Sequence, residues 1–184
     1  MTTESSSLRT VVDLVDLKDI SIKPLDRAHD RAAFCCGVEK IDNFCRNNAR
    51  EQHEANQVRV YDAVHEARVA GYYYLIASTR LPDAVSAEAP RKFGRVNEAP
   101  CVYLGMIGVS RDYKGNGIGK LLMADAMAKT LQVADLIGIY ALVLDALDDK
   151  VAQFYESLGF MRFVDGERKM FIPLQTIKNA LSAT

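Results

Sequence analysis

The chain has no tryptophan, and nowhere in its 184 residues does an apolar run approach the length of a membrane-crossing helix, which needs roughly 18 residues. A spanning helix is therefore excluded. Cysteine is scarce: Cys35, Cys36, Cys45 and Cys101 are the four, and none forms a C-x-x-C pair. The three histidines, His29, His53 and His65, are dispersed. No local spacing supplies convergent zinc ligands, so no metal is expected. Reduced, structural cysteines in a cytoplasmic protein are expected instead. Charge bias is missing too. A net charge of −1 gives no general attraction to nucleic acid or to an anionic membrane. Met1 to Thr10 is polar, includes Ser5-Ser6-Ser7 and has no apolar stretch fit for a signal peptide. The expectation is a cytoplasmic protein that does not enter a membrane. Residues 1–18 are read as a flexible segment and 19–184 as a single domain.

What is present is an ordinary globular balance, 49% hydrophobic and 26% charged, enough to build a full core. Ile20 to Lys23 alternates apolar and polar residues and reads as a strand ended at Pro24. Val38 to Asn56 carries Ile41, Phe44, Cys45 and Ala49 at helical spacing, a surface helix with one buried face. Val58 to Glu66 and Val69 to Thr79 are rich in Val, Tyr and Ile and form a hairpin about His65-Glu66-Ala67-Arg68. Leu81 to Pro100 holds three prolines and reads as a long loop. Cys101 to Val109 is apolar almost throughout, as suits a central strand. A helix from Gly117 to Ala134 is expected to turn Leu121, Leu122, Ala126 and Leu131 inward. Ile139 to Leu144 is a buried strand, and Asp148 or Asp149 caps a helix that ends at Gly159. Short strands at Phe160 to Phe163 and Lys169 to Ile172 flank the turn Asp165-Gly166. The order predicts an α/β fold, a mixed and mostly antiparallel central sheet flanked by helices.

The most informative stretch is Lys114-Gly115-Asn116-Gly117-Ile118-Gly119. It follows a strand and opens a helix. Glycines there expose backbone N–H groups at the positive end of a helix dipole, a ready site for a phosphate-bearing ligand. Two common ligands are excluded by spacing. A Walker A loop needs Ser or Thr after Gly-Lys, but Leu121 follows Lys120. A dinucleotide fingerprint needs G-x-G-x-x-G early in a βαβ unit, and here the glycines are G-x-G-x-G past the middle of the chain.

Ile107-Gly108-Val109, then Lys114-x-x-Gly117-x-Gly119, then Phe154-Tyr155-x-x-x-Gly159-Phe160 lie in that order. This closely resembles the GNAT superfamily of acetyl-CoA-dependent N-acetyltransferases, with Lys114 in place of the usual Arg or Gln. The resemblance implies acetyl-CoA as cosubstrate. Its pyrophosphate would sit on the N–H groups of Gly115, Asn116, Gly117, Ile118, Gly119 and Lys120, with Lys114 as a nearby donor. Its pantetheine arm would lie along Ile107, Gly108 and Val109, Gly108 permitting close approach. Tyr155 would be the catalytic acid that protonates the departing thiolate.

A base is harder to find. Cys101 to Val109 holds no carboxylate, and Glu98, before the strand, is the nearest candidate. A lysine amine of pKa about 10.4 is only about 0.1% neutral at physiological pH, whereas an α-amine of about 7.7–8.0 is partly neutral and needs less help. Phe34-Cys35-Cys36-Gly37, Ile41-Asp42-Asn43-Phe44, Gly71-Tyr72-Tyr73-Tyr74-Leu75 and Leu142-Val143-Leu144-Asp145-Ala146 are similar to the GNAT toxins of toxin–antitoxin pairs. Those acetylate the amino acid on charged tRNA. The resemblance implies an aminoacyl-tRNA acceptor, a small DNA-binding antitoxin and a homodimer. Charge is uneven enough to matter: Arg80 to Lys120 carries seven basic and four acidic side chains. Within the same fold, acetylation of a small amine, an antibiotic or a protein amine is the alternative. From another class, the alternative is a non-catalytic acyl-CoA-binding module.

Overall fold

The computed structural model describes residues 15–80, 98–164 and 168–182. In chain order the elements are β1 (Ser21–Pro24), α1 (Glu39–Asn43), a π-helical turn (Phe44–Asn48), α2 (Ala49–Glu54), β2 (Arg59–His65), β3 (Arg68–Arg80) and β4 (Ala99–Val109). Then follow α3 (Ile118–Ala134), β5 (Ala141–Asp145), α4 (Asp149–Ser157), β6 (Met161–Arg162), β7 (Lys169–Pro173) and α5 (Leu174–Ser182). Leu17–Asp19 and Arg111–Tyr113 are single 3-10 turns. Seven strands pair in the order β1-β2-β3-β4-β5-β7-β6 among the described residues. Every neighbouring pair is antiparallel except β4 with β5. The expected mixed, mostly antiparallel α/β sheet is what forms.

The sheet is buried on both faces because its central strands alternate large side chains. Tyr72 and Tyr73, adjacent on β3, point to opposite sides. Tyr72 packs with Phe34 and Phe44 under α1 and the π turn. Tyr73 lies in the larger cluster under α3, stacked on Tyr61 and donating to the Asp125 carboxylate. The predicted stripe Phe44, Cys45 and Ala49 is buried, with Ile41 half-buried at its end.

Several boundaries differ from expectation. The inward stripe of α3 is Ile118, Leu122, Met123, Ala126, Met127 and Thr130. Leu121 and Leu131 are only half-buried. The helix is rotated so that the two methionines, as apolar as leucine, reach the core, and Thr130 satisfies its hydroxyl on the Ala126 carbonyl. Ala99 and Pro100 belong to β4, not to a loop; residues 81–97 and the turn Asp165-Gly166 lie outside the described residues. The final helix α5 was not anticipated. Its one deeply buried residue is Ile177, against the core under α3.

Candidate active site

The site is a cleft made by two strands that part. β4 and β5 pair in parallel only from Cys101↔Ala141 to Leu104↔Leu144. Beyond Leu104, β4 continues to Val109 against β3 alone, so its β5-facing edge from Gly105 onward has no strand partner among the described residues. The parting has a local cause. Tyr74 pairs with Met106 and Leu75 with Leu104, so Gly105 is an extra, bulged residue. A bulge bends its strand and increases twist. A Cβ at 105 would fall inside the Tyr74 ring, so any other residue there forces that side chain to move. The cleft that opens holds about 490 Å³ and is lined by Tyr103, Ile107, Lys114, Asp145 and Tyr155, among others.

Past β4 the chain turns into the glycine loop. Gly115 and Gly117 both have positive φ (+86° and +82°), and Gly117 is the residue before the first turn of α3. The first backbone bond of the helix runs from Leu121 N–H to Gly117 O at 3.1 Å. Among the described residues, the N–H groups of Gly115, Asn116, Gly117, Ile118, Gly119 and Lys120 have no protein acceptor. Six consecutive free amides at the start of a 17-residue helix form an anion cradle. Asn116 sits in it with its side-chain carbonyl buried and unpaired. A Cβ at Gly115 would meet nothing within 4 Å, so the loop is open on that side. A diphosphate fits this cradle, and the cleft beside it has room for an extended arm.

Two of the residues in this region also make contacts within the protein. Lys114 points its ammonium at the Cys36 carbonyl, 2.9 Å away. With Arg111 N–H on the Cys35 carbonyl at 2.8 Å, it stitches the loop to the segment before α1. Gly108 also lets the protein itself approach closely: a Cβ there would lie 2.8 Å from Ile41 Cγ2. Ile107, Gly108, Val109 and Lys114 line the cleft, whereas Gly115 to Lys120 form the cradle at its end. Glu98 is exposed at the opposite end of β4. It precedes Tyr103 by five extended residues, roughly 16 Å of strand, so it is not at the cleft.

Tyr155 is placed by the end of its helix. Asp148 caps α4 by accepting from Val151 N–H at 2.8 Å. At the other end Gly159 (φ +94°) donates to Glu156 O at 3.0 Å, and Phe160 N–H reaches back to Tyr155 O at 3.1 Å. These two bonds are a Schellman motif, with Gly159 at the left-handed position. The Phe160 ring closes on the Tyr155 ring, centroids 5.6 Å apart. Tyr155 is 6% exposed and lines the cleft. Its hydroxyl makes no hydrogen bond among the described residues. Burial pushes its pKa up to about 12, because the phenolate would lose water without gaining a partner.

The cleft also holds residues that the sequence did not single out as functional. Tyr103 Oη donates to Asp145 Oδ2 at 2.9 Å at the point where β4 and β5 separate. Cys36 is buried at its rim, its thiol pushed up to about 11, mainly by burial and then by the hydrogen bond with Asp42. In the sequence Asp145 stood at the end of an apolar strand, within a segment similar to GNAT toxins, with no role assigned to it. What brings it to Tyr103 is the parallel pairing, which no local pattern encodes.

The profile described as "Acetyltransferase (GNAT) family" covers residues 33–160. The chain belongs to the GNAT family of acetyltransferases. Among GNAT relatives, it is 32% identical to a probable toxin TacT of Sinorhizobium fredii over 87% of this chain and 94% of that protein. It is 30% identical to a tRNA-acetylating toxin of Mycobacterium tuberculosis over 72% of this chain and 79% of that protein. Solved GNAT structures agree. AtaT complexed with acetyl-methionyl-tRNAfMet superposes with a TM-score of 0.82 at 30% identity, covering 90% of this chain and 100% of that one. AtaT has also been solved as AtaTR with acetyl-CoA, at a TM-score of 0.78, 31% identity, 91% of this chain and 99% of that one. A third structure, the AtaT–AtaR toxin–antitoxin complex on DNA, matches at 0.72 and 30%, over 89% and 99%.

Proposed function

We propose that this GNAT acetyltransferase moves the acetyl group of acetyl-CoA onto the α-amine of an aminoacyl-tRNA, the reaction of a translation-blocking toxin. The observation that supports transfer rather than mere binding is Tyr155: a protonated hydroxyl held in the cleft with no hydrogen-bond partner among the described residues. The acceptor is argued from kinship with tRNA-acetylating relatives. It is also argued from amine chemistry, since an α-amine loses its proton far more readily than a lysine.

Acetyl-CoA, when bound, supplies an acetyl group activated as a thioester. The six free amides from Gly115 to Lys120 hold its diphosphate, and the unpaired edge of β4 offers hydrogen bonds to its amide-rich arm. Tyr155 keeps its proton across the physiological range and presents it to the departing sulfur. A preorganised donor stabilises charge that develops only as the bond breaks. The same reading makes the protein cytoplasmic and homodimeric, a single domain over 19–184, and held in check by a small DNA-binding antitoxin like the one in the AtaT–AtaR complex.

The test is incubation of purified protein with labelled acetyl-CoA and separately charged tRNAs, alongside polyamines, aminoglycosides and peptides. Label on the amino acid of one or more charged tRNAs is expected. Label only on small amines or peptides would replace the tRNA reading, and binding of coenzyme A with no transfer to any acceptor would replace catalysis itself.

A further inference from the structure

We propose that Asp145 is the proton acceptor for the incoming amine and that Tyr103 positions it, an inference that rests on the acetyl-transfer reading above. Among the residues lining the cleft, Asp145 bears the one carboxylate in the described structure. It ends β5 one residue past the last β4–β5 pair, at the vertex of the split.

The two faces of the sheet assign the roles. Leu104 and Leu144 pack in the cluster that contains Tyr155. Tyr103 packs with Cys101 and Val143 in a different cluster. Because side chains alternate along a strand, Tyr103 and Asp145 face one side of the split and Tyr155 the other. A thioester carbonyl at the vertex would have a proton donor on one side and a carboxylate on the other.

Among the described residues, the Asp145 carboxylate makes no ion pair and caps no helix. Asp148, not Asp145, caps α4. Lys169 stands across from it on β7, Lys40 and Lys114 line the same cleft, and Asp148 and Asp149 begin the next helix. None of these lysines lies within ion-pair distance of Asp145 among the described residues, and Lys114 is bonded to Cys36. Its side-chain partner is the Tyr103 hydroxyl, which fixes one oxygen by donating to it and leaves the other to accept from an amine.

The step balances as follows. The amine nitrogen bonds to the acetyl carbon and the carbon–sulfur bond breaks. The sulfur takes the Tyr155 proton, and the carboxylate of Asp145 takes the proton that the nitrogen sheds. Solvent then reprotonates Tyr155 and deprotonates Asp145.

Asp145→Asn keeps the shape and an acceptor for Tyr103 but cannot take a proton. With the full-length protein, it is expected to bind acetyl-CoA within about twofold of the parent by calorimetry, while kcat falls about 100-fold at pH 7. Its rate should climb steadily to pH 9, where hydroxide replaces the carboxylate, while the parent levels off earlier. Tyr103→Phe should lower kcat about fivefold with the same acetyl-CoA affinity. Parent-like rates and pH dependence in Asp145→Asn would overturn the proposal, as would an equal loss of acetyl-CoA affinity. If the parent acetylates small amines but no charged tRNA, the tRNA reading falls and the Asp145 comparison is decided on those amines. If the parent binds acetyl-CoA and acetylates nothing, both readings fall.

Discussion

Phe160 N–H is bonded to the carbonyl of Tyr155 at 3.1 Å, and the two rings touch at a centroid distance of 5.6 Å. The backbone that ends α4 is thus the backbone that aims Tyr155 into the cleft. The Gly-Phe pair after the helix is a Schellman stop with its hydrophobic contact, and its consequence is chemical.

Gly159→Ala tests that link. The position has φ +94°, and a Cβ there would meet Ile172 and Thr176 at an ordinary 3.6 Å, so the cost is in the backbone. A left-handed residue with a Cβ costs about 1–2 kcal/mol, or a melting point lower by roughly 2–8 °C at this size. Acetyl transfer measured well below that melting point should fall as well, because relaxing the stop turns Tyr155 away from the cleft. Lost stability with unchanged kcat would separate the cap from the chemistry.

Tyr155→Phe is expected to do the opposite. The hydroxyl has no hydrogen-bond partner among the described residues, so removing it should change the melting point little. Transfer should drop about 10²–10⁴-fold, with acetyl-CoA affinity by calorimetry retained. Its burial has a second consequence. The phenol is pushed up to about 12 in the fold and sits near 10 unfolded. The contribution of Tyr155 to stability is therefore full below pH 10 and declines between about 10 and 12 in the parent, and Phe at 155 removes that decline from the pH–stability curve.

Gly105→Ala should be among the most damaging single substitutions. A Cβ at 105 collides with the Tyr74 ring on the paired strand. Overpacking of this kind costs about 1–3 kcal/mol. Adding Tyr74→Ala should recover part of the loss relative to the sum of the single changes, a coupling that a double-mutant cycle in urea would read. Additive effects would mean that the bulge is not held by that ring.

Asp42 anchors the rim of the cleft. Its carboxylate accepts from Cys36 N–H at 2.6 Å and Gly37 N–H at 3.2 Å. Burial alone would raise its pKa, but the bonds from Cys36 and Gly37 and the charge of Arg46 together lower it. A depressed folded pKa gives stability that is present above the unfolded value, about 3.9, and is lost as pH falls through the folded one. Asp42→Asn should therefore cost about 1–2 kcal/mol at pH 7. The gap between parent and variant, followed by urea melts from pH 7 to 2.5, should close in acid. A gap independent of pH would assign the loss to packing.

Much of the fold was legible along the chain. The Asp148 cap and the Gly159 stop bounded α4, and glycine spacing before an apolar helix marked an anion cradle. Such features are local, because they depend on backbone geometry within a few residues. The inner face of α3 was partly misread, since methionine competes with leucine for burial and only the facing sheet decides which side turns in. Lys114 illustrates the limit within the site: its place in the loop was visible, but its partner, the Cys36 carbonyl, is 78 positions away.

By itself the sequence determined most of the elements, where α4 stops, and that a row of backbone amides stands free at the start of α3. Tertiary structure alone decided that β4 and β5 part at Gly105, that Tyr103 meets Asp145, and that Tyr155 lies on the other face of the same split. The reason is physical. Caps and turns are set by neighbours along the chain, whereas a cleft is set by pairing between strands distant in sequence, whose register is fixed by burying their apolar faces.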